Sequence, residues 1–599
     1  MGDRQIMPEI AEKIIFGVLY IVFGWKIWKK AIRNIKRGEI FDENFLMVVA
    51  SVGAICVGEW EEAFMVMVLY TIGEFLQNKA VGRSRKSISD LMDIRPDYAN
   101  LLNDQGESVK TDPEKIAVGS IIEILPGERI PLDGVVIEGT SRIDTAAITG
   151  ESLPADAAEG SEVYSGTINL DGVLKVRVTK TCDQSTASRI LELVEESAIN
   201  RAQAENFITR FANIYTPVVC ACAVIVAIIP PLILGGGWND WIHRALVFLV
   251  TSCPCALVIS IPLGFFGGIG GASSKGILIK GGNYLEALAK ADTVVFDKTG
   301  TLTKGIFKVV AVHPHSFGEE KLLELAAHAE SFSNHPIARS LADEYGKPVD
   351  KSIVKNAHEF AGKGITAEVD GLVISCGNEK MMEMLGIQWH DCEIPGTMVH
   401  VVIEGAYAGH ITISDQIKED TPEALSKLRE LGIRKLAMLT GDKDKIGAAV
   451  AKQLPQLDEY RAGLLPEDKV NAVKEYLGEK DAKGHYAHGV AFVGDGINDA
   501  PVLTAASVGL AMGGMGSAAA IEAADIVLMN DKPSDVAAAV RIAKKTMRIV
   551  RENVIFSLGI KLIVLVLAVF GISSMWLAEF ADVGVCLLAI LNSMRALKA

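Results

Sequence analysis

The amino-acid sequence predicts a multi-domain membrane protein, in which an α-helical bundle of about seven transmembrane helices carries one mostly β insert and one α/β insert. Charged residues make up 22% of the chain, yet its mean hydropathy is +0.28. Apolar residues are concentrated at both ends and around 211–274, whereas charged stretches punctuated by glycine fill 81–206 and 275–551. This segregation indicates membrane-spanning helices that alternate with large water-exposed domains.

Seven apolar segments are predicted to cross a membrane, because a helix needs about 20 mostly apolar residues to span the hydrocarbon layer. They lie near 10–30, 42–58, 62–80, Phe211–Asn239, Ala245–Ser274, 553–572 and 576–594. Basic residues follow the first and third segments and precede the sixth, which indicates that these connections are cytosolic. Both large inserts then lie in the cytosol, and we expect a multi-pass protein of the cell membrane.

Charge and cysteine content narrow the classes of partner. A net charge of −15 argues against a nucleic-acid partner, since phosphate binding requires a basic face. The nine cysteines include no CxxC pair and no spacing typical of a disulfide framework, which fits reduced thiols facing the cytosol. Nothing in the sequence indicates an obligatory protein partner.

Three short apolar strands in the second insert each end in a polar loop, as in a parallel α/β sheet whose site lies at the carboxyl ends of its strands. The strands are Val294–Phe296, Leu436–Leu439 and Val490–Val493. Asp297 follows the first strand, where an exposed carboxylate, ionised near pH 7, can attack a phosphoryl group. Asp495 follows the third strand and offers a carboxylate to Mg²⁺, which prefers oxygen ligands.

Two further features of this insert suit phosphate chemistry. Thr440, Gly441 and Asp442 follow the middle strand, where a hydroxyl and backbone amides can hold phosphate oxygens. Lys469 offers a neutralising positive charge, and the chain has no Walker A loop. One such loop alone is an ordinary polar turn, but three behind three apolar strands favour a catalytic site.

The heptapeptide from Asp297 to Thr303 matches the phosphorylation signature of P-type ATPases. Thr440–Asp442 and the loop 494–501 match two other motifs of that family, and Thr149–Ser152 matches its actuator motif, although alone it is a common polar turn. The resemblance implies transmembrane helices 1–3 in 1–80, an actuator domain in 81–206, helices 4–5 in 207–274 and helices 6–7 in 549–599. It also implies a haloacid-dehalogenase-like phosphorylation domain in 275–312 and 409–548, with an inserted α+β nucleotide-binding domain in 313–408.

The same resemblance implies an ATP hydrolase coupled to metal-ion translocation and gives residues their roles. Asp297 would form an aspartyl-phosphate, and Glu151 would place the water that hydrolyses it. Asp297, the carbonyl of Thr299 and Asp495 would hold Mg²⁺. The family usually has two helices before its core six, whereas one is predicted here, and we expect no delivery of metal by an N-terminal CxxC domain.

The stretch Glu330-xx-Ser-x-His335-Pro, followed by Gly362 and Gly364, resembles the nucleotide-binding domain of the heavy-metal subclass. A lone His-Pro pair is more often a turn. The resemblance implies that His335 orients the adenine of ATP, while Glu330 and the two glycines line the pocket.

Cys253-Pro254-Cys255 lies inside the fifth apolar segment. On a regular helix, residues i and i+2 point roughly 200° apart, so two such thiols cannot face one ion. Proline interrupts the helix, which lets both sulfurs converge and frees carbonyls. Thiolates bind soft or borderline ions, although two buried cysteines beside a kink are an alternative interpretation.

Two charges interrupt the last hairpin, and intramembrane charges are candidates for function. Lys561 lies in the sixth segment, where a lysine that snorkels to the membrane surface is the alternative interpretation. Asp582 opens the short uncharged part of the seventh segment, where a helix-end carboxylate is the alternative. Their pattern resembles the zinc/cadmium/lead branch, in which the thiolates and Asp582 bind the ion and Lys561 serves as a countercharge. In that family a glutamate matching Glu62 accepts the ion during its release, so the resemblance implies this role for Glu62. The alternative is that Glu62 belongs to an acidic turn that is simply exposed to solvent.

The sequence therefore predicts ATP-driven export of Zn²⁺, and also Cd²⁺ or Pb²⁺, from the cytosol. Two thiolates with a carboxylate suit a divalent ion better than Cu⁺, which favours all-sulfur sites. A Cu⁺ exporter is the main alternative. A membrane-anchored phosphatase and a metal sensor without turnover are alternatives from other classes.

Overall fold

The computed structural model describes residues 9–37, 43–91, 96, 98–103, 107–145, 154–188, 203–234, 237–252, 255–333, 336–360, 362–390, 394, 396–480, 484, 486–495, 499–513 and 522–598. The chain divides into two compact units. One comprises Met1–Ala289 with Ala539–Ala599, and the other comprises Lys290–Ala538. The first contains the membrane helices and the β insert, and the second contains two larger sheets.

The helices are numbered in chain order. They are α1 (Glu9–Lys36), α2 (Glu43–Val57), α3 (Trp60–Leu91), α4 (Gln203–Leu234), α5 (Trp238–Thr251), α6 (Cys255–Ser273), α7 (Gly282–Lys290), α8 (Glu319–Ala329), α9 (Pro336–Tyr345), α10 (Glu379–Leu385), α11 (Thr421–Glu430), α12 (Asp444–Gln453), α13 (Pro466–Leu477), α14 (Ala500–Ala505), α15 (Pro533–Val569) and α16 (Met575–Ser593). Each of the seven predicted membrane segments is helical, and the fifth consists of α5 and α6.

Length and composition qualify three helical stretches of the described chain to cross a membrane, namely Trp238–Ser273, Pro533–Val569 and Met575–Lys598. Asn44–Val57 and Pro217–Ile233 are shorter apolar helices. The third and sixth segments extend beyond their predicted limits, to Leu91 and back to Pro533. These extensions are polar but contain good helix formers such as Ala, Lys and Arg, so no break separates them from the apolar part.

Close approaches between helices explain two glycines of the membrane unit, Gly53 and Gly73. The helix α16 packs against α6 and α3, and α2 packs against α5. A Cβ at Gly73 would lie 2.5 Å from a methyl of Val583, and a Cβ at Gly53 would lie 2.5 Å from a methyl of Leu246. Small residues at such crossings let helices in a membrane approach closely enough for van der Waals packing.

The β insert forms two antiparallel sheets. Its strands are β1 (Ala99–Leu102), β2 (Ser108–Thr111), β3 (Ile121–Ile124), β4 (Gly134–Glu138), β5 (Ser141–Asp144), β6 (Ala155–Ala157), β7 (Glu162–Val163), β8 (Ile168–Asn169) and β9 (Leu174–Val178). The sheet orders are β2-β1-β3-β9-β4-β7 and β6-β5-β8. Side chains alternate between core and solvent along β9, which is the pattern of a strand with one buried face.

The remaining strands are β10 (Ile277–Ile279), β11 (Thr293–Asp297), β12 (Thr303–Pro314), β13 (Val354–Phe360), β14 (Gly364–Val369), β15 (Leu372–Gly377), β16 (Thr397–Ile403), β17 (Ala406–Ile417), β18 (Lys435–Leu439), β19 (Glu459–Arg461), β20 (Val490–Gly494), β21 (Val508–Met512) and β22 (Ile526–Leu528). In the second unit, parallel strands follow the order β22-β21-β20-β11-β18-β19. The three strands predicted from the sequence are therefore neighbours, with β11 between β20 and β18.

An antiparallel sheet of order β12-β17-β16-β15-β14-β13 is the other half of this unit. Its core includes Leu322 and Leu325 of α8 and Leu341 of α9. The long strands β12 and β17 cross the predicted domain boundaries at 312/313 and 408/409, because their pairing continues from Thr303–Ile417 to Pro314–Gly409. The predicted fold class, with helical bundle, β insert and α/β unit, is confirmed.

Candidate catalytic and ion-binding sites

Asp297 ends β11 at the edge where β20 and β18 also end. The preceding residues Val294–Phe296 are fully buried, and Asp297 itself is 6% exposed. The prediction that this carboxylate is exposed is therefore wrong. Burial, followed by repulsion from the carboxylate of Asp499, raises the pKa of Asp297 to about 7.

Lys469 of α13 reaches this carboxylate, as its predicted charge-neutralising role requires. Its Nζ donates to Asp297 Oδ1 at 2.6 Å and to Asp499 Oδ1 at 2.9 Å. The lysine is 12% exposed, so water screens these charge-assisted bonds weakly. Lys469 thus offsets part of the repulsion between the two aspartates.

Three carboxylates of this edge suit a magnesium ion. Ligand oxygens of Asp297, Asp495 and Asp499 all lie within 4.8 Å of one another. Oxygen donors at this spacing match the preference of Mg²⁺ for carboxylates supplemented by water. The sequence did not single out Asp499, because a loop with two aspartates does not reveal which of them faces the site.

Gly300 makes room for this carboxylate cluster. It follows Thr299 in the turn after Asp297 and has a φ of +71°. A Cβ at this position would lie 2.3 Å from Asp495 Oδ2, so any larger residue would displace this carboxylate. Lys418 fixes the turn by donating from Nζ to the Gly300 carbonyl at 2.8 Å. Glycine is therefore required here both for its backbone conformation and for the close approach.

The loop after β18 is held by local bonds. The backbone N–H of Asp442 donates to Thr440 Oγ1 at 3.1 Å, across Gly441. The Asp442 carboxylate accepts from Lys298 Nζ, and Lys298 is 3% exposed. Lys298 was not singled out from the sequence, although it follows Asp297 directly. Its ion pair ties the loop after β18 to the turn after β11.

A cavity of about 310 Å³ lies on the antiparallel sheet. Its lining includes Glu330, Gly362, Gly364, Asn378 and Val399. Burial, with a smaller contribution from Glu359, raises the pKa of Glu330 to about 7. His335 lies outside the described residues.

Glycine suits the two positions in this cavity for different structural reasons. A Cβ at Gly364 would lie 2.1 Å from the Cys376 carbonyl oxygen, so this position needs glycine for strand pairing. Gly362 has a φ of +67° but open space where a Cβ would point. Gly362 therefore forms the turn at the cavity mouth, and Gly364 lets β14 and β15 approach.

In the described residues, the first helix of the fifth membrane segment ends beside the position where the sequence predicts a break. The helix α5 ends at Thr251, and α6 begins at Cys255. Cys253, Pro254 and the side chain of Cys255 lie outside the described residues. The Thr251 carbonyl accepts a bond of 3.2 Å from Lys561 Nζ of α15, so the end of α5 exposes an acceptor inside the bundle.

Lys561 also forms an ion pair with Asp582 of α16. The two side chains are 5% and 7% exposed, which rules out a lysine that snorkels to the surface. The burial of Asp582 likewise rules out a solvated carboxylate at the end of a helix. Cys586, one turn further along α16, is fully buried in an apolar cluster with Leu263 and Ile590.

Glu62, in the first turn of α3, pairs with His243 of α5. Its Oε2 lies 2.7 Å from His243 Nε2, and both side chains are partly buried. The sequence offered no signal for His243, because 181 residues separate the two. Glu151 lies outside the described residues.

The chain matches two family models, the P-type ATPase actuator domain over residues 93–195 and the haloacid dehalogenase-like hydrolase over residues 291–507. It is 52% identical to the cadmium, zinc and cobalt-transporting ATPase of Bacillus subtilis, over 98% of this chain and 83% of that protein. It is 48% identical to the zinc-transporting ATPase of a Synechocystis species, over 98% of this chain and 81% of that protein.

Among solved structures, the chain is similar to a zinc-transporting PIB-type ATPase in its E2·Pi state. The TM-score is 0.61 and the identity is 36%, with 99% of this chain and 96% of that chain covered. The match extends over both units, and therefore includes the helices as well as the two large inserts.

Proposed function

The chain belongs to the heavy-metal P-type ATPases, and we propose that it uses ATP to export a soft divalent cation from the cytosol, with Zn²⁺ the first candidate and Cd²⁺ and Pb²⁺ close alternatives. The relatives that match nearly the whole chain support Zn²⁺ and Cd²⁺ as substrates, because their names describe zinc- or cadmium-transporting ATPases. The observation that carries the proposal is the buried Lys561–Asp582 pair beside the end of α5.

Asp297 is the proposed nucleophile. One carboxylate oxygen attacks the γ-phosphorus of ATP, the bond to the β–γ bridging oxygen breaks, and ADP leaves with that oxygen. Lys469 lies where it can stabilise negative charge on the transferred group. Asp297, Asp495, Asp499 and the Thr299 carbonyl would hold Mg²⁺, which would supply charge neutralisation for the transfer of the phosphoryl group.

The antiparallel sheet and its cavity would hold the nucleotide. Glu330 and Gly362 line this cavity, and the proposed role of His335 is to orient the adenine. Hydrolysis of the aspartyl-phosphate requires a positioned water, for which Glu151 is the proposed positioning residue. Thr440 and Gly441 are proposed to hold phosphate oxygens during both steps.

The proposed transport site consists of the thiolates of Cys253 and Cys255 and the carboxylate of Asp582. Pro254 lets both thiolates approach one ion, and this ligand set suits a borderline divalent metal. Lys561 is the proposed countercharge. When the ion is bound, Asp582 is a ligand; when it leaves, the ammonium of Lys561 takes its place and disfavours rebinding.

We also propose that the protein lies in the cell membrane with both inserts in the cytosol, and that its partners are ATP, the metal ion and lipid. The basic residues beside the first, third and sixth segments support this orientation.

ATP hydrolysis in lipid with a panel of metals tests the proposal. We expect Zn²⁺, Cd²⁺ and Pb²⁺ to stimulate hydrolysis and Cu⁺ not to do so. Cys253→Ala and Asp297→Asn should each abolish stimulation, whereas Cys222→Ala, which removes a thiol from the uninterrupted α4, should retain it. Stimulation by Cu⁺ alone would contradict the choice of metal.

A further inference from the structure

We propose that His243 is a metal ligand, which together with Glu62 forms a weak exit site at the outer end of the bundle. This inference rests on the proposed export function and adds a residue to it. The two side chains belong to different helices, α5 and α3, and are already in contact, with 2.7 Å between Nε2 and Oε2. They are 25% and 19% exposed, so the pair is sheltered but open to small ions.

The pair lies where three short helix connections meet. The helix α2 ends at Val57 and α3 begins at Trp60, so Glu62 is close to the first of these connections. Arg244 Nη1 donates to the Val569 carbonyl at 3.2 Å, which joins the start of α5 to the end of α15. A Cβ at Gly571 would lie 2.8 Å from that guanidinium. The basic residues beside the other connections predict that these short connections face away from the cytosol.

The charges around the pair favour a cation. Glu59 and Asp240 are close enough to His243 to interact electrostatically with its imidazole. The guanidinium of Arg244 lies over the Trp241 ring, 4.4 Å from its centroid, and bonds the Val569 carbonyl. Its charge is thus directed at other partners, and the acidic groups dominate the surroundings of His243.

The donor atoms determine which cation fits. One imidazole nitrogen and one carboxylate oxygen are a common pair of ligands for Zn²⁺, whereas Mg²⁺ and Ca²⁺ prefer oxygen donors alone. Two protein ligands completed by water bind more weakly than a closed tetrahedral site. Weak binding is what an exit site needs, since an ion held tightly would not leave.

A positioning role is the alternative, in which His243 acts by holding Glu62 through a hydrogen bond. Two substitutions separate the roles. His243→Gln keeps a side chain that can donate to Glu62 but is a poor ligand. His243→Cys supplies a thiolate ligand in place of the imidazole. A ligand role predicts that cysteine rescues and glutamine does not, whereas a positioning role predicts the reverse.

Equilibrium dialysis of radioactive Zn²⁺ tests the inference on the full-length chain in lipid, with Cys253→Ala and Cys255→Ala introduced to remove the tight site. We expect one weakly bound Zn²⁺ per chain to be lost with His243→Gln and with Glu62→Gln, and retained with His243→Cys. Unchanged binding in His243→Gln, or loss in His243→Cys as well, would overturn the inference.

This experiment needs no turnover, so it is independent of whether the chain pumps. Metal-stimulated hydrolysis by the parent chain, with both cysteines present, is measured beside it. Absence of stimulation there would reject the proposed function, while the dialysis would still decide whether His243 binds metal. The circular-dichroism spectrum and thermal unfolding of His243→Gln, compared with those of the parent chain, check that this variant is folded.

Discussion

Lys561 of α15 and Asp582 of α16 form an ion pair in the interior of the helical bundle, and the same lysine bonds the carbonyl of Thr251 where α5 ends. Removing two charges from water is costly, and a buried pair is often no more stabilising than apolar residues of similar volume. The pair therefore needs a reason other than stability. The proposed roles supply such a reason: Asp582 would be a ligand of the metal ion, and Lys561 would be the countercharge that the ion displaces.

Lys561→Met should destabilise the membrane unit strongly, by about 3–5 kcal/mol, because it leaves the Asp582 carboxylate buried without a partner. Adding Asp582→Asn should restore most of this loss, since no charge then remains. Metal-stimulated turnover should stay absent in the double variant, which lacks a ligand. Thermal unfolding in detergent and ATP hydrolysis measure the two effects. Full turnover in the double variant would show that the pair is structural.

Lys469→Ala should slow transfer of phosphate to Asp297 by about 10²–10³-fold, the usual cost of removing one preorganised charge-stabilising donor. Lys469→Arg is the matched control, since it keeps the charge but not the two bonds of the ammonium to Asp297 and Asp499. It should retain part of the rate. Rapid-quench measurement of phosphoenzyme formation gives both values, and a rate for the alanine variant close to that of the parent would exclude the proposed role.

Gly300→Ala should abolish phosphorylation, because its Cβ would collide with the carboxylate of Asp495. Gly305→Ala is a matched control, since Gly305 has a similar φ of +66° but its Cβ would come no closer than 3.8 Å to another atom. Both variants carry the same kind of backbone strain, of order 1–3 kcal/mol. Phosphoenzyme should therefore be lost in the first and largely retained in the second. Equal losses would assign the effect to strain alone.

The raised pKa of Glu330 should make the antiparallel sheet β12–β17 less stable as the pH rises. The folded protein holds this proton up to about pH 7, whereas the carboxyl of the unfolded chain loses it near the ordinary glutamate pKa of 4.5. The contribution of Glu330 to the free energy of unfolding is then fully present below pH 4.5 and is lost as the pH rises through 7, by at most about 3 kcal/mol.

Hydrogen exchange in β14–β16 can measure this effect, with Glu330→Gln as the comparison at each pH. The variant should be protected like the parent at about pH 5 and better protected than the parent at about pH 8. Identical protection at both values would mean that Glu330 is ionised in the fold at little cost.

The fold and the central residues could be predicted because their signals are local. Asp297 ends an apolar strand, and Lys561 interrupts an apolar helix, so each stands out in a short stretch of chain. Asp499, Lys298 and His243 did not, because their roles depend on partners distant in the chain. The burial of Asp297 was missed for the same reason, since Lys469 comes from α13 and Asp499 from the loop after β20. The lengths of α3 and α15 were underestimated because hydropathy marks the apolar part of a helix and not its polar continuation.

The central claim is that a phosphoryl group on Asp297 is coupled to a metal ion in the membrane. Incubation with ATP radiolabelled in its γ-phosphate, followed by acid quench, tests it most directly. We expect label on the protein that depends on Zn²⁺, is released by hydroxylamine as an acyl-phosphate, and is absent in Asp297→Asn. A parent chain that acquires no label with Zn²⁺, Cd²⁺ or Pb²⁺ would contradict the account.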